Sequence, residues 1–244
     1  ALPSPARPGA VPGAGTKYPQ TKHASVIGII GAGVMSRSCL LSIAETIAVK
    51  KEVRVYDIFP EKAAAFCKEM SEQTGMDVHP VDASEKAIID CDIVSVAASA
   101  LAPVVIRDEW IKPGAVIEVT GAAEITDECY LSNTVVFDNW KMHKEWLDEL
   151  RDEPERLFSI NAGHPSAPIL KMVADGKMDP KNCVSLGDII KDPSKGRKSD
   201  KEKMIFLTGG MAVEDVAWGF DCYTEALRQG LGQKLSLWNE TYWA

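Results

Sequence analysis

One stretch decides the fold of this chain: Val26-Ile27-Gly28-Ile29-Ile30-Gly31-Ala32-Gly33-Val34-Met35-Ser36-Arg37. A short apolar run ends in two glycines, and residues that favour a helix follow at once. A second apolar run, Val53-Arg54-Val55-Tyr56-Asp57, ends in an acid. Strand, glycine turn, helix, strand and acid in this order are typical of a dinucleotide-binding βαβ unit.

The two glycines and the acid predict which part of a nucleotide is bound. Gly31 and Gly33 let the backbone turn tightly and approach a pyrophosphate, whose charge interacts with N–H groups at a helix N-terminus. Asp57 is placed to accept hydrogen bonds from the adenosine ribose hydroxyls. Because a carboxylate there repels a 2′-phosphate, NAD(H) is favoured over NADP(H). Ser36 fills the third glycine position and keeps the helix slightly further from the strand.

Composition excludes several classes of protein. The 244 residues are 45% hydrophobic and 25% charged, which is typical of a globular chain. A net charge of -8 argues against nucleic acid as the main partner. No apolar run is long enough to span a membrane. Six scattered cysteines without a C-x-x-C pair indicate reduced thiols and a cytoplasmic location, and four histidines without ligand spacing argue against a metal site.

Alternating strand and helix patterns predict an α/β fold, a Rossmann-type doubly wound parallel sheet. A weak strand at 77–81 contains Pro80, which would confine it to a sheet edge. Asp82 to Glu85 reads as a capping box. The stronger strand predictions are 26–31, 53–57, 92–97, 115–119 and 134–138, and helices are predicted at 34–49, from Pro60, and at 212–228.

The remaining segments are assigned by their composition. Residues 1–24 contain five prolines and predict a linker or an arm that lies on another surface, not an independent fold. The mixed charges of residues 140–156 predict a solvated helix and not a site. Residues 234–238 alternate like a strand that pairs with something outside the main sheet. The predicted domains are the arm at 1–24, a nucleotide-binding domain at 25–228 and a tail at 229–244.

Two sets of motifs resemble the ornithine cyclodeaminase/mu-crystallin family, from about Arg7 to the C-terminus. One is the glycine motif from Gly31 to Arg37. The more specific one is Leu186-Gly187-Asp188-Ile189-Ile190, followed by Gly196-Arg197-x-Ser199-Asp200 and by Gly210-Met211-Ala212-Val213-Glu214-Asp215-Val216. The family includes cyclodeaminases, alanine dehydrogenases, ketimine reductases and opine-type dehydrogenases. The resemblance implies chemistry at a carbon that bears nitrogen, with hydride passing to or from a nicotinamide.

The resemblance also implies a divided active site. In the family the substrate pocket lies between the Rossmann domain and an N-terminal dimerisation domain, and this chain is expected to lack nearly all of the latter. The arm would be its remnant, and the C-terminal tail would dock on it. Arg7 resembles the arginine that binds the substrate carboxylate, and the alternative is an arginine in a flexible tail. The proton-transfer residue is unknown and is expected outside this chain.

Departures from the family motif bear on the reaction type. Aligning the turn on Val119-Thr120-Gly121-Ala122 puts Ala123 where the cyclodeaminases have their catalytic aspartate, and the adjacent Glu124 is expected to point elsewhere. Without that acid, deamination lacks its base, so a redox reaction is favoured over a lyase reaction.

The other cofactor contacts are predicted from the ends of strands. Arg37 is expected at the pyrophosphate or in a surface salt bridge, and Ala97 beside the nicotinamide ribose or in plain helix–sheet packing. Thr208 and Gly210 would flank the nicotinamide or else belong to a helix-start loop. The full predicted set is Gly31, Gly33, Val34, Met35, Ser36, Arg37, Asp57, Ile58, Ala97, Ala98, Ser99, Thr120, Gly121, Thr208 and Gly210.

The leading hypothesis is an NAD(H)-dependent oxidoreductase that acts on a small amino acid, amine or imine. Two alternatives remain open. One is a cyclodeaminase-type ammonia-lyase whose acid has moved, for instance to Glu124. The other is a nucleotide-binding subunit that completes its active site with a second polypeptide. A homo-oligomer, or a hetero-oligomer with a chain that supplies the N-terminal domain, is expected in either case.

Overall fold

The computed structural model describes residues 6–98, 104–149 and 164–236, with side chains from residue 9 onward. The strands are β1 (Val26–Ile30), β2 (Glu52–Tyr56), β3 (Asp77–Pro80), β4 (Ile93–Val96), β5 (Val104–Ile106), β6 (Val116–Val119), β7 (Ala123–Ile125), β8 (Thr134–Phe137), β9 (Cys183–Ser185) and β10 (Met204–Leu207). The helices are α1 (Ala6–Lys17), α2 (Val34–Ala44), α3 (Pro60–Thr74), α4 (Asp127–Ser132), α5 (Trp140–Glu149), α6 (Ala167–Ala174), α7 (Leu186–Lys191) and α8 (Ala212–Arg228).

Eight of these strands form one parallel sheet, in the order β3-β2-β1-β4-β6-β10-β8-β9. In β1, Ile27 lies opposite Val53 on one side and Ile93 on the other. The chain builds outward from β1 to β3 and then crosses back to β4, so the strand order reverses between β1 and β4. The predicted doubly wound α/β sheet is confirmed, and its six predicted strands lie within one residue of the observed bounds. Strand β3, with Pro80, is at the edge, as predicted.

One central strand was not predicted. Strand β10 lies between β6 and β8, where Leu207 pairs with Val119 on one side and with Phe137 on the other. All four of its residues are buried. The last of the described strands therefore enters the middle of the sheet, and its carboxyl end lies beside those of β6 and β8.

Helices cover both faces of the sheet. On one face, α2 and α3 bury Leu40, Ile43, Phe66 and Met70 against β1 and β2. On the other face, α4, α5 and α6 pack over β4, β6 and β8. Burial on both faces explains why the strands are almost continuously apolar.

Two local predictions are wrong. The helix that begins at Val34 ends at Ala44, not near residue 49. The turn after β3 begins at Ser84 without a side-chain cap. The carboxylate of Asp82 instead pairs with the ammonium of Lys86 at 2.7 Å, because the two side chains face each other one turn apart.

The N-terminal segment is a helix where the prolines predicted an arm. Helix α1 packs on α2, and its glycines allow a very close approach: a Cβ on Gly9 would lie 2.0 Å from the Cβ of Ser38, and one on Gly13 would lie 2.8 Å from that of Ser42. The Ser42 hydroxyl donates to the Gly9 carbonyl oxygen. Tertiary packing therefore outweighs the low helix propensity of glycine and proline in this segment.

The chain divides into two compact units, residues 1–210 and 211–244. In the second unit, helix α8 has the predicted bounds of 212–228. Residues 234–236 do not form the predicted strand, and residues 237 and 238 lie outside the described residues. An apolar stripe follows one face of α8 at three- to four-residue spacing, and each of its side chains is 60–70% exposed: Val213, Val216, Phe220, Tyr223 and Leu227. Among the described residues, no helix is long and apolar enough to cross a membrane.

Candidate functional site

The predicted site residues gather at one edge of the sheet. Because the strands are parallel, their carboxyl ends all face the same way, and ligands bind at this edge where the strand order reverses. The residues that directly follow the strands there are Gly31 after β1, Asp57 after β2, Ala97 after β4, Thr120 after β6, Asp138 after β8 and Thr208 after β10.

Gly31 and Gly33, the two glycines of the first turn, differ in their backbone conformation and in their surroundings. Gly31 has φ +95, and a Cβ there would lie 3.0 Å from the carbonyl oxygen of Ala97, so the fold itself requires glycine. Gly33 precedes α2 with φ -85, which any residue adopts, and a Cβ there would meet no atom of the described residues within 4 Å. Within the described part of the chain, no contact therefore requires glycine at 33. This is the pattern expected where a ligand approaches the backbone at a helix N-terminus.

The carboxylate of Asp57 joins the loops after β1 and β2. One oxygen accepts a hydrogen bond from the N–H of Ala32 at 2.7 Å, and the other accepts one from the N–H of Phe59 at 2.9 Å. An ionised carboxylate offers about four acceptor positions, so about two remain for ligand hydroxyls. Asp57 thus orders the glycine turn.

Arg37 forms the salt bridge that was one of its two predicted roles, and its contact with a pyrophosphate stays a prediction. Its guanidinium forms a salt bridge with Glu69 at 2.7 Å and also donates to the carbonyl oxygens of Ala32 and Gly33, each at 3.1 Å. The side chain also lies over the ring of Phe66. Arg37 therefore holds the glycine turn from the side and places a positive charge beside it.

The first turn of α2 presents Val34 and Met35 toward the outside, whereas Ser36 is 1% exposed. Among the described residues, the Ser36 hydroxyl has no hydrogen-bond partner. A cofactor could therefore meet Ser36 only through its backbone N–H, and the side chain fills space between helix and sheet.

Removing this buried hydroxyl should stabilise the protein. We expect Ser36→Ala to raise the free energy of unfolding by about 1 kcal/mol, because an unpaired buried polar group costs about 1–3 kcal/mol. Urea denaturation of Ser36→Ala and of Ser38→Ala, a control in the same helix that gains the same helix propensity, measures this effect. A Ser36→Ala variant no more stable than the control would contradict it.

A crevice of about 220 Å³ opens beside the glycine turn. Lys62, which the sequence analysis did not select, reaches this crevice and lies over the ring of Phe59 at 4.3 Å. Six predicted cofactor residues are among the residues that line the crevice: Gly31, Gly33, Asp57, Ile58, Ala97 and Ala98.

The ends of β4 and β6 are held together by backbone contacts. The N–H groups of Thr120 and Gly121 donate to the carbonyl oxygen of Val96 at 3.0 and 2.9 Å. A Cβ on Gly121 would lie 2.5 Å from the carbonyl oxygen of Ala98, so packing requires glycine there. Ala97 both packs on Gly31 and lines the crevice, which leaves both of its predicted roles open. Ser99 lies outside the described residues.

Asp138 is the principal polar residue that the sequence analysis missed. Its buried carboxylate accepts hydrogen bonds from the N–H groups of Gly209 at 2.8 Å, Gly210 at 2.9 Å and Asn139 at 2.7 Å, and from the Thr208 hydroxyl at 3.4 Å. Burial tends to raise the pKa of Asp138, but its hydrogen bonds outweigh burial and lower that pKa below its usual value. Asp138 therefore fixes the turn predicted to flank the nicotinamide.

Two histidines lie next to the turn that contains Gly209. His143, fully buried on α5, lies with its Nε2 3.0 Å from the Asp138 carboxylate. The prediction that residues 140–156 form only a solvated surface is therefore wrong for the described part of that segment. His164 packs against Gly209, and its Nδ1 accepts from the N–H of Ser166 at 3.2 Å. Burial, and then the neighbouring His143, lower the pKa of His164.

Two further predicted residues have different outcomes. The backbone of Arg7 belongs to α1, but its side chain is outside the described part of the structure. Glu124 is exposed on β7, paired with Val105, and does not line the crevice. Within the described ranges, no group of three or more His, Cys, Asp or Glu is placed to hold a metal.

Comparison with known proteins gives consistent matches over nearly the whole chain. The model of the ornithine cyclodeaminase/mu-crystallin family matches residues 2–230. A Δ(1)-pyrroline-2-carboxylate reductase of Bacillus cereus is 28% identical over 239 residues, covering 94% of this chain and 66% of the relative. An alanine dehydrogenase of Archaeoglobus fulgidus is 28% identical over 234 residues, covering 94% and 65%. The chain thus spans about two thirds of the length of these relatives.

A solved structure is similar to this chain over nearly its whole length. The Δ(1)-pyrroline-2-carboxylate reductase of Thermococcus litoralis, in complex with NADH and L-proline, has a TM-score of 0.78 and 29% identity to this chain. The match covers 94% of this chain and 66% of that one.

Proposed function

We propose that this chain, which belongs to the ornithine cyclodeaminase/mu-crystallin family, binds NAD(H) and acts as an oxidoreductase at the C–N carbon of an amino acid, amine or imine. The crevice beside Gly33 and Asp57 is the observation that carries the proposal. A relative of this chain is an alanine dehydrogenase, and another binds NADH and L-proline. When bound, the nicotinamide would give hydride to the carbon of the C–N bond or take it away.

The residues of the crevice fit a dinucleotide. The N–H groups at the start of α2 would bind the pyrophosphate, and the free acceptor positions of Asp57 would bind the adenosine ribose. Arg37 adds positive charge beside the turn. Val34, Met35, Ile58, Ala97, Ala98, Thr120, Gly121, Thr208 and Gly210 complete the proposed set at the same edge of the sheet.

Substrate binding is proposed to need more protein than the described crevice. We assign the substrate carboxylate to Arg7, because a guanidinium binds a carboxylate through two parallel hydrogen bonds. The division into an arm at 1–24, a nucleotide-binding domain at 25–228 and a tail at 229–244 stays part of this proposal. All six cysteines are free thiols, which supports a cytoplasmic location.

Dependence on a further polypeptide surface is favoured by one observation. The apolar stripe on α8, with Val216 and Phe220 at its centre, is exposed, and an exposed stripe of this kind is typical of a surface that another domain or subunit covers. We propose that a second copy or a different chain supplies that surface together with part of the substrate pocket. Native mass spectrometry would show whether the partner is a second copy or a different chain. A fully active monomer would contradict this part of the proposal.

The experiment that tests the function follows NADH absorbance while the protein is given cyclic imines, or 2-oxo acids with ammonia. We expect NADH oxidation at a rate that saturates with the imine or oxo acid, and the reverse reaction with the matching amino acid. Ammonia release from a diamino acid without net change in NADH would instead indicate a lyase. The exposed position of Glu124, outside the crevice lining, makes this second result the less expected one.

A further inference from the structure

A buried acid lies directly beneath the carboxyl edge of the sheet. Glu118, on β6, is 0% exposed and stands opposite Ser95 of β4. The Ser95 hydroxyl donates to one oxygen of its carboxylate at 2.6 Å, and the Thr120 hydroxyl donates to the other. An acid in the middle of a buried parallel strand is costly unless it is paired, and here its partners are two hydroxyl groups.

The surroundings favour the protonated form of this acid. Burial raises the pKa of Glu118 to about 7, and the hydrogen bonds from Ser95 and Thr120 only partly oppose this rise. The thiol of Cys39 on α2 also faces this group, and burial raises the pKa of Cys39 too. Between residues 9 and 17 of α1 the titratable side chain is Lys17, which is exposed. Glu118 can therefore exchange a proton near neutral pH.

Thr120 connects the buried acid to the open edge. It directly follows β6, and it is only partly buried, whereas Glu118 is fully enclosed. A hydroxyl can donate one hydrogen bond and accept another. When Glu118 is protonated it can donate to the Thr120 oxygen, and the Thr120 proton is then available to another acceptor at the carboxyl edge of the sheet.

We propose that Glu118, acting through Thr120, supplies the proton that reduction of a C=N bond requires at nitrogen. This inference rests on the proposed function. In the step, the carbon receives a hydride from the reduced nicotinamide, which becomes oxidised, and the C=N double bond becomes a single bond. The nitrogen takes the proton of the Thr120 hydroxyl, which takes that of Glu118. Glu118 is left as a carboxylate, and water restores its proton. Glu118 is thus a positioning residue, and Thr120 is the group that meets the substrate.

The first readout needs no cofactor. Infrared spectra of the complete protein, recorded as a function of pH, should show a protonated carboxyl band that disappears with a midpoint near pH 7 and is missing in Glu118→Gln. The second readout is kinetic: kcat for imine reduction should fall as pH rises through this midpoint. Glu118→Gln should lower kcat about 100-fold, since general acid catalysis typically contributes about 10²–10⁴-fold. The Glu118→Gln substitution should also remove the dependence of kcat on pH, and it should leave the Kd for NADH within about twofold of the wild-type value.

Two hydroxyl variants separate the relay from a structural role. Ser95→Ala removes a hydrogen bond to the charged form, so the band and the kinetic midpoint should both move to higher pH. Thr120→Val should lower kcat as Glu118→Gln does, while the carboxyl band still titrates. If Glu118→Gln binds NADH and its kcat depends on pH as that of wild type does, the relay is overturned and the proposed function is not. Failure of the wild-type protein to bind NADH would overturn the proposed function and this inference with it.

Discussion

Asp138→Ala is expected to lower the free energy of unfolding by about 3–5 kcal/mol, because it leaves several buried hydrogen-bond donors without their charged acceptor. The wild-type carboxylate accepts from the backbone of Asn139, Gly209 and Gly210 and lies 3.0 Å from Nε2 of His143. The turn after β10 has no other described anchor of this strength. Chemical denaturation of Asp138→Ala, with Asp221→Ala on the exposed face of α8 as the control for loss of one charge, measures the effect.

The pH dependence of this stabilisation has a defined sign. The pKa of Asp138 in the folded protein lies below its value in the unfolded chain, so its contribution is fully present above the unfolded pKa of about 3.9. The contribution is lost as pH falls through the lower, folded pKa. The difference in stability between wild type and Asp138→Ala should therefore begin to shrink below about pH 4. A variant as stable as wild type at pH 7 would show that the carboxylate does not hold this turn.

Asp57→Asn is expected to weaken NADH binding about tenfold or more and to narrow the preference for NADH over NADPH. Asparagine keeps the size of the side chain but loses the charge, and charge-assisted hydrogen bonds contribute about 1.5–3 kcal/mol, where 1.4 kcal/mol is tenfold in Kd. Loss of the charge also removes repulsion toward a 2′-phosphate, and Lys62 lines the same crevice.

Calorimetric titration with both nucleotides tests the role of Asp57. Asp77→Asn is a suitable control, since Asp77 is an exposed acid at the start of β3 that does not line the crevice. Unchanged NADH affinity in Asp57→Asn would remove the assignment of Asp57 to the ribose. Loss of stability in the same variant would instead indicate that Asp57 holds the glycine turn by accepting the hydrogen bond from the N–H of Ala32.

The first half of the sheet could be predicted because its signals are local. Each strand from β1 to β4 is an apolar run with its own turn, and the glycine turn and Asp57 follow directly from two of these runs. Strand β10 was missed, although Met204-Ile205-Phe206-Leu207 is an apolar run between Lys203 and Thr208. Its position in the centre of the sheet depends on pairing with β6 and β8, which are distant in sequence, and no local pattern reports that.

The same reason explains the missed polar residues. Asp138 ends a predicted strand just as Asp57 does, and that signal was available. Its partners Gly209 and Gly210 are far along the chain, so only the fold shows that they meet. His143 was assigned to a solvated helix because its neighbours are charged, and Glu118 lay inside a run judged only as a strand. Helix α1 was misjudged because its glycines serve contact with Ser38 and Ser42, which the local sequence does not show.

The NADH affinity of Gly33→Ala, measured by calorimetry beside wild type, tests the central claim most directly. A methyl group at residue 33 meets none of the described atoms within 4 Å, so the variant should unfold at the same denaturant concentration or higher. We expect its Kd for NADH to rise at least about tenfold, because the methyl group would occupy the space into which the pyrophosphate fits. Equal NADH affinity in the two proteins would contradict the account.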